Sequence, residues 1–80
     1  MKMYYTYVLK SLKDKNLYIG WTNNLKDRIA KHNKGEVAST KPRLPFVLVY
    51  YEACLSEEKA ILREKQLKSG FGRKYLNNRI

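Results

Sequence analysis

The chain has little cysteine and no long apolar run, and each of these absences excludes a class of protein. Cys54 is the single cysteine among 80 residues, so there is no internal disulfide and no cysteine cluster for zinc. The longest apolar run, residues 46–51, is far shorter than the roughly 20 residues of a membrane-spanning helix. The first five residues also lack the apolar stretch of a secretion signal. We therefore expect a cytoplasmic protein.

Acidic residues are scarce as well. Seven Asp and Glu stand against 17 Lys and Arg, which gives a formal net charge of +10. Solubility alone needs far less charge, so this excess predicts a polyanionic partner, with nucleic acid ahead of a membrane surface. There is no glycine-rich phosphate loop, no base placed beside Cys54 and no acidic pair for glycoside hydrolysis. The length and a hydrophobic content of 44% predict one small domain, residues 1–80.

The first half of the chain predicts two strands followed by a helix. Residues 4–10 and 17–21 are rich in aromatic and β-branched side chains, as strands are. A polar turn at residues 13–16 joins them, so we expect an antiparallel hairpin that brings Tyr7 and Tyr18 close together.

The second half predicts one strand and two helices, which gives an α+β fold with the order β-β-α-β-α-α. Residues 46–51 are apolar on both faces, which predicts a strand covered on both sides and therefore helices on both faces of the sheet. Ser56 offers an N-cap for a helix over about residues 57–68, and Gly70 is expected to end it. Residues 71–80 provide a short final helix.

The helix between residues 25 and 35 carries an arginine on its apolar face. Asn23 or Asn24 offers an N-cap, and Gly35 supplies the stop. Helical spacing places four residues on one face: Leu25, Arg28, Ile29 and His32. Because burying an unpaired charge is expensive, Arg28 should meet an anion or a polar network there. The alternative is that its stem borders the core while its head lies in water.

The next helix carries a carboxylate in the same kind of position. Four residues share its apolar face: Ala60, Ile61, Glu64 and Leu67. Glutamate is rarely buried unless it is paired or bound to metal, so Glu64 is a candidate metal ligand. The alternative is a salt bridge with one of four cations: Arg63, Lys65, Lys68 or Arg28. Arg63 and Lys65 are sequence neighbours that point away from Glu64, which weakens the alternative for these two.

The segment between the first helix and the third strand, residues 35–45, is a basic loop with two prolines. It is either an ordinary surface loop or a source of hydroxyls, from Ser39 and Thr40, and of cations for phosphates. The net charge favours the second interpretation. The candidate nucleic-acid contacts are four cations of this loop and of the final helix: Lys41, Arg43, Arg73 and Lys74.

Five residues form a candidate catalytic set: Tyr7, Tyr18, Arg28, His32 and Glu64. Phosphodiester hydrolysis needs an activated water, neutralisation of phosphate charge and help for the leaving oxygen. A carboxylate can hold Mg²⁺, an arginine fork fits phosphate oxygens, and a tyrosine hydroxyl can deprotonate the attacking water. Histidine can contact phosphate or carry a proton. One carboxylate does not suffice for a two-metal site.

Two tyrosine motifs, Tyr5-Thr6-Tyr7 and Tyr18-Ile19-Gly20, precede Arg28, His32 and the helical Glu64. This set resembles the GIY-YIG nuclease superfamily, and within it the compact, excision-nuclease-like bacterial group. The second motif matches outright, whereas the first has Tyr5 and Thr6 where other branches have Gly and Ile. The resemblance runs from Tyr4 to Asn78 and implies a three-stranded antiparallel sheet flanked by helices.

The resemblance also implies roles for the site residues. It places a metal ion on Glu64, phosphate on Arg28 and both motif tyrosines at the chemistry. Families of this type often add an asparagine near the end of the domain, and here Asn77 or Asn78 fits that place.

We therefore expect a metal-dependent endonuclease that uses one Mg²⁺ or Mn²⁺ ion, with DNA rather than RNA as its partner. The alternative is a nucleic-acid-binding module on the same fold that does not cut, since basic charge and tyrosines serve binding equally well. Glu64 separates the two, because binding to a polyanion gains nothing from an inward carboxylate.

Overall fold

The computed structural model describes residues 1–80. The elements are β1 (Tyr4–Ser11), β2 (Leu17–Thr22), α1 (Leu25–Asn33), a 3-10 turn (Lys41–Arg43), β3 (Phe46–Cys54), α2 (Glu57–Leu67) and α3 (Gly70–Asn77). The predicted α+β class and the order β-β-α-β-α-α are confirmed. None of the helices has the length and apolar character needed to cross a membrane.

The three strands form one antiparallel sheet in the order β2-β1-β3. The central strand β1 is buried on both faces from Thr6 to Leu9. Tyr7 and Leu9 pack on one side, against α1, and Val8 packs on the other, against α2 and α3. Helices on both faces are therefore confirmed.

The prediction that residues 46–51 form the strand covered on both faces is wrong, because that strand is β1. β3 is an edge strand that pairs only with β1, and it continues beyond Tyr51 to Cys54. Val47 is 40% exposed and Tyr51 is 52% exposed. A continuous apolar run shows only that the side chains are apolar. Whether a strand is covered on both faces depends on its place in the sheet, and the central place is taken by β1, whose sequence alternates.

Helix α1 begins as the sequence predicted. Asn24 is the N-cap, and its side-chain Oδ1 accepts the backbone N–H of Asp27 at 3.1 Å. Leu25 and Ile29 pack against the core cluster of Tyr7, and His32 is fully buried. The helix ends at Asn33, just before Gly35, whose φ of 75° matches the predicted stop.

The junction between α2 and α3 differs from the prediction. Gly70 does not end α2 but is the first residue of α3, and only Lys68 and Ser69 lie between the two helices. The Ser69 hydroxyl donates to the Gln66 carbonyl at 2.5 Å and accepts the Gly72 N–H at 3.4 Å. One side chain therefore satisfies the end of α2 and the start of α3, so no terminating glycine is needed.

Polar contacts fix α2 and α3 on the sheet. The Thr6 hydroxyl donates to the Ala60 carbonyl at 2.9 Å, which ties β1 to α2. Arg63 donates to both carboxylate oxygens of Glu52 at 2.9 and 3.0 Å, and its guanidinium lies 4.6 Å from the centre of the Tyr75 ring. This bidentate pair holds β3, α2 and α3 in one arrangement.

Candidate functional site

The two motif tyrosines lie on one face of the β-hairpin. In the β1–β2 register, Tyr7 is opposite Gly20 and Tyr18 is opposite Leu9. They are therefore diagonal neighbours on the side of the sheet that α1 covers, as the hairpin predicted. The Tyr18 charge also contributes to the pKa of Tyr7, so the two hydroxyls lie within electrostatic reach of each other.

Gly20 makes room for the Tyr7 ring. A Cβ atom at position 20 would lie 2.5 Å from the Tyr7 hydroxyl oxygen and 2.7 Å from its Cζ, far inside normal contact distance. Tyr7 is only 2% exposed, so its ring has no other place to go. The missing side chain at Gly20 thus allows Tyr7 to cross β2 and to carry its hydroxyl toward α1.

The Tyr7 hydroxyl forms a hydrogen bond with His32. The Tyr7 Oη and the His32 Nε2 are 3.0 Å apart, and the edge of the Tyr18 ring packs against the imidazole with centroids 5.0 Å apart. His32 has no solvent exposure. In this structure no atom of His32 reaches the surface, and both expected roles, phosphate contact and proton carrier, stay predictions.

Burial and neighbouring charges hold the Tyr7–His32 pair neutral. Burial raises the pKa of Tyr7 most, Tyr18 and Glu64 raise it further, and the Arg28 guanidinium lowers it. The pKa of His32 is lowered from 6.5, first by burial and then by Arg28. These influences show that Arg28 and Glu64, from two different helices, both act on the Tyr7 hydroxyl.

Arg28 has no partner of its own. Its side chain is half-buried and forms neither an ion pair nor a side-chain hydrogen bond. The Arg28–Glu64 salt bridge, one of the alternatives from sequence, is not formed. Arg28 is therefore a half-buried cation beside two neutral rings, an arrangement that an incoming anion would stabilise.

Glu64 pairs with a flexible cation at the surface. Its Oε2 lies 3.5 Å from the Lys68 ammonium, and the Glu64 side chain is 18% exposed while that of Lys68 is 54% exposed. Lys68 is exposed and lies one helical turn from Glu64, so this ion pair is weak and Lys68 can yield its place to a stronger cation. The salt-bridge alternative is thus confirmed for Lys68, and it leaves metal binding by Glu64 as a prediction.

The donor set fits one hard cation with few protein ligands. No group of three or more His, Cys, Asp or Glu side chains lies together in the structure. Mg²⁺ prefers oxygen ligands and keeps several of its waters, so the partly exposed carboxylate of Glu64 is a suitable single anchor.

The residues of the loop that were predicted to contact phosphate differ in how accessible they are. Arg43 is engaged within the protein, because its Nε donates to Asp14 Oδ2 at 2.6 Å and its guanidinium lies 5.3 Å from the Phe46 ring centre. Thr40 is fully buried, so its hydroxyl is not available to phosphate. Lys41 is exposed and unpaired, and it remains a candidate contact.

A cleft of about 570 Å³ opens beside Tyr18, between the hairpin and the last two helices. Its lining includes three cations and two amides: Lys15, Lys68, Arg73, Asn16 and Asn77. Arg73 lines this cleft on the side of the sheet that α2 and α3 cover, whereas Lys74 is exposed outside it. Asn77 also lines the cleft and Asn78 caps the end of α3, so a site role for either asparagine stays a prediction.

The structural roles of Thr40 and Gly20 were not predicted from sequence. Thr40 contacts His32 Nδ1 at 2.9 Å across a loop that carries no periodic signal. The role of Gly20 is more accessible, because a glycine inside a strand is a signal for close approach of another group.

The chain is similar to known proteins over most of its length. The model of the GIY-YIG catalytic domain matches residues 3–77. A UPF0213 protein of Staphylococcus haemolyticus is 46% identical over 70 residues, which span 86% of this chain and 84% of that protein. A UPF0213 protein of Clostridium perfringens is 48% identical over 67 residues, or 82% and 71% of the two chains. The solution NMR structure of a UPF0213 protein from Bacillus halodurans covers 95% of this chain and 83% of its own, with 34% identity and a TM-score of 0.58.

Proposed function

This chain belongs to the GIY-YIG catalytic domain family, and on that premise we propose that it hydrolyses phosphodiester bonds in DNA with one divalent metal ion, Mg²⁺ or Mn²⁺. The observation that carries the proposal is the buried Tyr7–His32 hydrogen bond beside an unpaired arginine and a partly exposed glutamate. Binding alone requires none of these three features.

Arg28 is the proposed phosphate contact. A guanidinium presents two parallel N–H groups that fit two phosphate oxygens, and Arg28 has no competing partner in the protein. Its charge also balances the negative charge that accumulates on the phosphate as the attacking oxygen approaches.

Tyr7 is the proposed base for the attacking water. Its pKa is raised, so at neutral pH it is a phenol and takes a proton only if it passes its own proton on. His32 Nε2, 3.0 Å away, is placed to accept that proton, and its lowered pKa keeps it unprotonated beforehand. The water oxygen then bonds to phosphorus, and the bond from phosphorus to the leaving oxygen breaks.

Glu64 is the proposed metal ligand. A divalent ion bound there would supply positive charge for the leaving oxygen. To bind the ion, Glu64 would give up its 3.5 Å pair with Lys68. Its own charge raises the pKa of Tyr7, and a bound cation would oppose that effect.

Cations around the tyrosines are the proposed track for the DNA backbone. Lys15, Lys68 and Arg73 line the cleft beside Tyr18, and Lys41 lies on the neighbouring loop. Contacts of this kind read charge rather than base sequence, so we expect affinity without marked sequence preference.

The test is incubation of the protein with branched, nicked and plain duplex DNA, in Mg²⁺, in Mn²⁺ and with a chelator. We expect cleavage of at least one form with metal and none with chelator. DNA that is bound but stays intact under all of these conditions would support the non-catalytic binding module instead.

A further inference from the structure

His32 lies between two hydroxyl groups, and only one of them belongs to the tyrosine motifs. Tyr7 Oη is 3.0 Å from Nε2, and Thr40 Oγ1 is 2.9 Å from Nδ1. Thr40 and His32 both have no solvent exposure. Water therefore does not compete for these hydrogen bonds, and the direction of each bond is set by the protein.

Each hydroxyl has one proton, and the partners of each hydroxyl indicate where that proton points. The Thr40 hydroxyl donates to the Val37 carbonyl at 3.3 Å, which leaves its oxygen free to accept from His32 Nδ1–H. The Tyr7 hydroxyl has His32 as its hydrogen-bond partner, so a buried donor would be left unpaired unless it donates to Nε2. Both arguments place the imidazole proton on Nδ1.

We propose that Thr40 is a positioning residue that holds His32 in the tautomer with Nε2 unprotonated, ready to take the Tyr7 proton. In the opposite tautomer Nε2 already carries a proton, and Tyr7 then has no acceptor for its own. The catalytic consequence rests on the proposed nuclease function, whereas the tautomer does not.

A neutral hydroxyl in this position has an effect that a carboxylate would not have. A carboxylate at Nδ1 orients an imidazole and also stabilises its charged form, as in the hydrolases that use a buried aspartate. Thr40 orients His32 without that charge, and Arg28 further disfavours the imidazolium. His32 thus returns its proton readily to the Tyr7 hydroxyl, which in turn passes one on toward the phosphate site.

The loop of residues 35–45 is built to place this hydroxyl. The backbone N–H groups of Thr40 and Lys41 both donate to the Val37 carbonyl, at 3.1 and 3.0 Å, which forms a tight turn around Thr40. Beyond the turn, Ser11 Oγ donates to the Arg43 carbonyl at 2.6 Å, which fixes the loop to the hairpin. A loop that served only as a phosphate contact would not bury its threonine.

The tautomer can be measured directly, because His32 is the only histidine in the chain. Long-range ¹H–¹⁵N correlation of the imidazole distinguishes a protonated nitrogen from an unprotonated one. We expect the parent protein to show the proton on Nδ1 and Thr40→Ser to show the same. Thr40→Val, which keeps the shape but removes the hydroxyl, should lose this preference.

Cleavage kinetics provide the second measurement. In Thr40→Val we expect the single-turnover rate to fall by about 10-fold to 100-fold, the usual effect of removing the group that orients a functional imidazole. DNA affinity should be unchanged, and Thr40→Ser should restore the rate. A merely structural role would not give this split between rate and affinity.

Three results would overturn the proposal: a parent protein with its imidazole proton on Nε2, a Thr40→Val variant with the parental tautomer, or a changed tautomer with the parental rate. The parent spectrum decides the first even if Thr40→Val fails to fold. A parent that does not cut DNA would contradict the proposed function but would leave the tautomer result standing.

Discussion

At the scale of single residues, one proton is shared between a phenol and an imidazole inside the protein. Tyr7 and His32 are both buried, and neither would be charged in the resting state, because burial raises one pKa and lowers the other. Charge near the pair comes from Arg28 and Glu64 and, on the proposed function, from the phosphate and the metal ion that these two bind. The site is therefore responsive to its ligands rather than permanently ionised.

Removing the Tyr7 hydroxyl tests its role as the base. We expect Tyr7→Phe to lower the single-turnover cleavage rate by about 100-fold or more, since a positioned general base contributes about 10²–10⁴. DNA affinity should persist, because the ring and its packing remain. Tyr51→Phe is the matched control, since Tyr51 is 52% exposed and lies on the edge strand, and it should cut like the parent. If Tyr18→Phe lost cleavage and Tyr7→Phe did not, Tyr18 rather than Tyr7 would be the base.

The buried imidazole also predicts how stability depends on pH. The pKa of His32 is lowered from 6.5 in the folded protein, so the unfolded chain binds the extra proton first as the pH falls. The stability due to neutral His32 is therefore complete above pH 6.5 and declines as the pH falls toward the folded pKa. In that window the free energy of unfolding should fall by at most about 1.4 kcal/mol for each pH unit. Chemical denaturation of the parent and of His32→Gln at several pH values measures this pH dependence. If the free energy of unfolding changed equally with pH in both proteins, His32 would not be its source.

At the scale of elements, the hairpin and α1 form the site because a glycine of one strand lies beneath the tyrosine ring of the other. Gly20 of β2 leaves space that Tyr7 of β1 fills, and the hydroxyl reaches His32 of α1. In Gly20→Ala we expect the Tyr7 ring to move and its hydrogen bond to break. The free energy of unfolding should drop by about 1–3 kcal/mol, the usual cost of overpacking, and cleavage should fall as in Tyr7→Phe.

Gly70→Ala is the control for that prediction, because no heavy atom would lie within 4 Å of a Cβ at position 70. It should match the parent in both denaturation and cleavage. A Gly20→Ala variant with parental activity would show that the Tyr7 hydroxyl tolerates displacement, and the proposed base would then be wrong.

Local sequence features predicted the elements better than they predicted which surfaces meet. Strand pairs, caps and helix faces follow from nearest neighbours, and Arg28 and His32 were placed on the inner face of α1 by spacing alone. The position of β1 at the centre of the sheet depends on strand order, which is a property of the whole chain. Thr40 contacts His32 only because a loop without periodicity folds back, so no local sequence pattern predicts that contact.

At the scale of the whole molecule, the chain is strongly basic, whereas the buried Tyr7–His32 pair is neutral. The net charge of +10 favours a polyanionic partner, and three of the cations line the cleft beside Tyr18. Arg43 and Arg63 are each paired with a carboxylate and hold elements together. Some charges of this chain therefore stabilise the fold, and the unpaired cations are those proposed to contact DNA.

Glu64 carries the central claim that this fold cuts DNA with a metal ion, and one measurement tests it most directly. The cleavage rate of Glu64→Gln is followed over a Mg²⁺ titration, with DNA affinity measured in the same samples. Glu58→Gln is the matched control, because Glu58 is an exposed carboxylate of the same helix. The account predicts that Glu64→Gln binds DNA at least as well as the parent, melts at nearly the same temperature and does not cut at any Mg²⁺ concentration, while Glu58→Gln cuts like the parent. A Glu64→Gln variant that cuts at the parental rate, or a parent whose cleavage ignores the chelator, would contradict it.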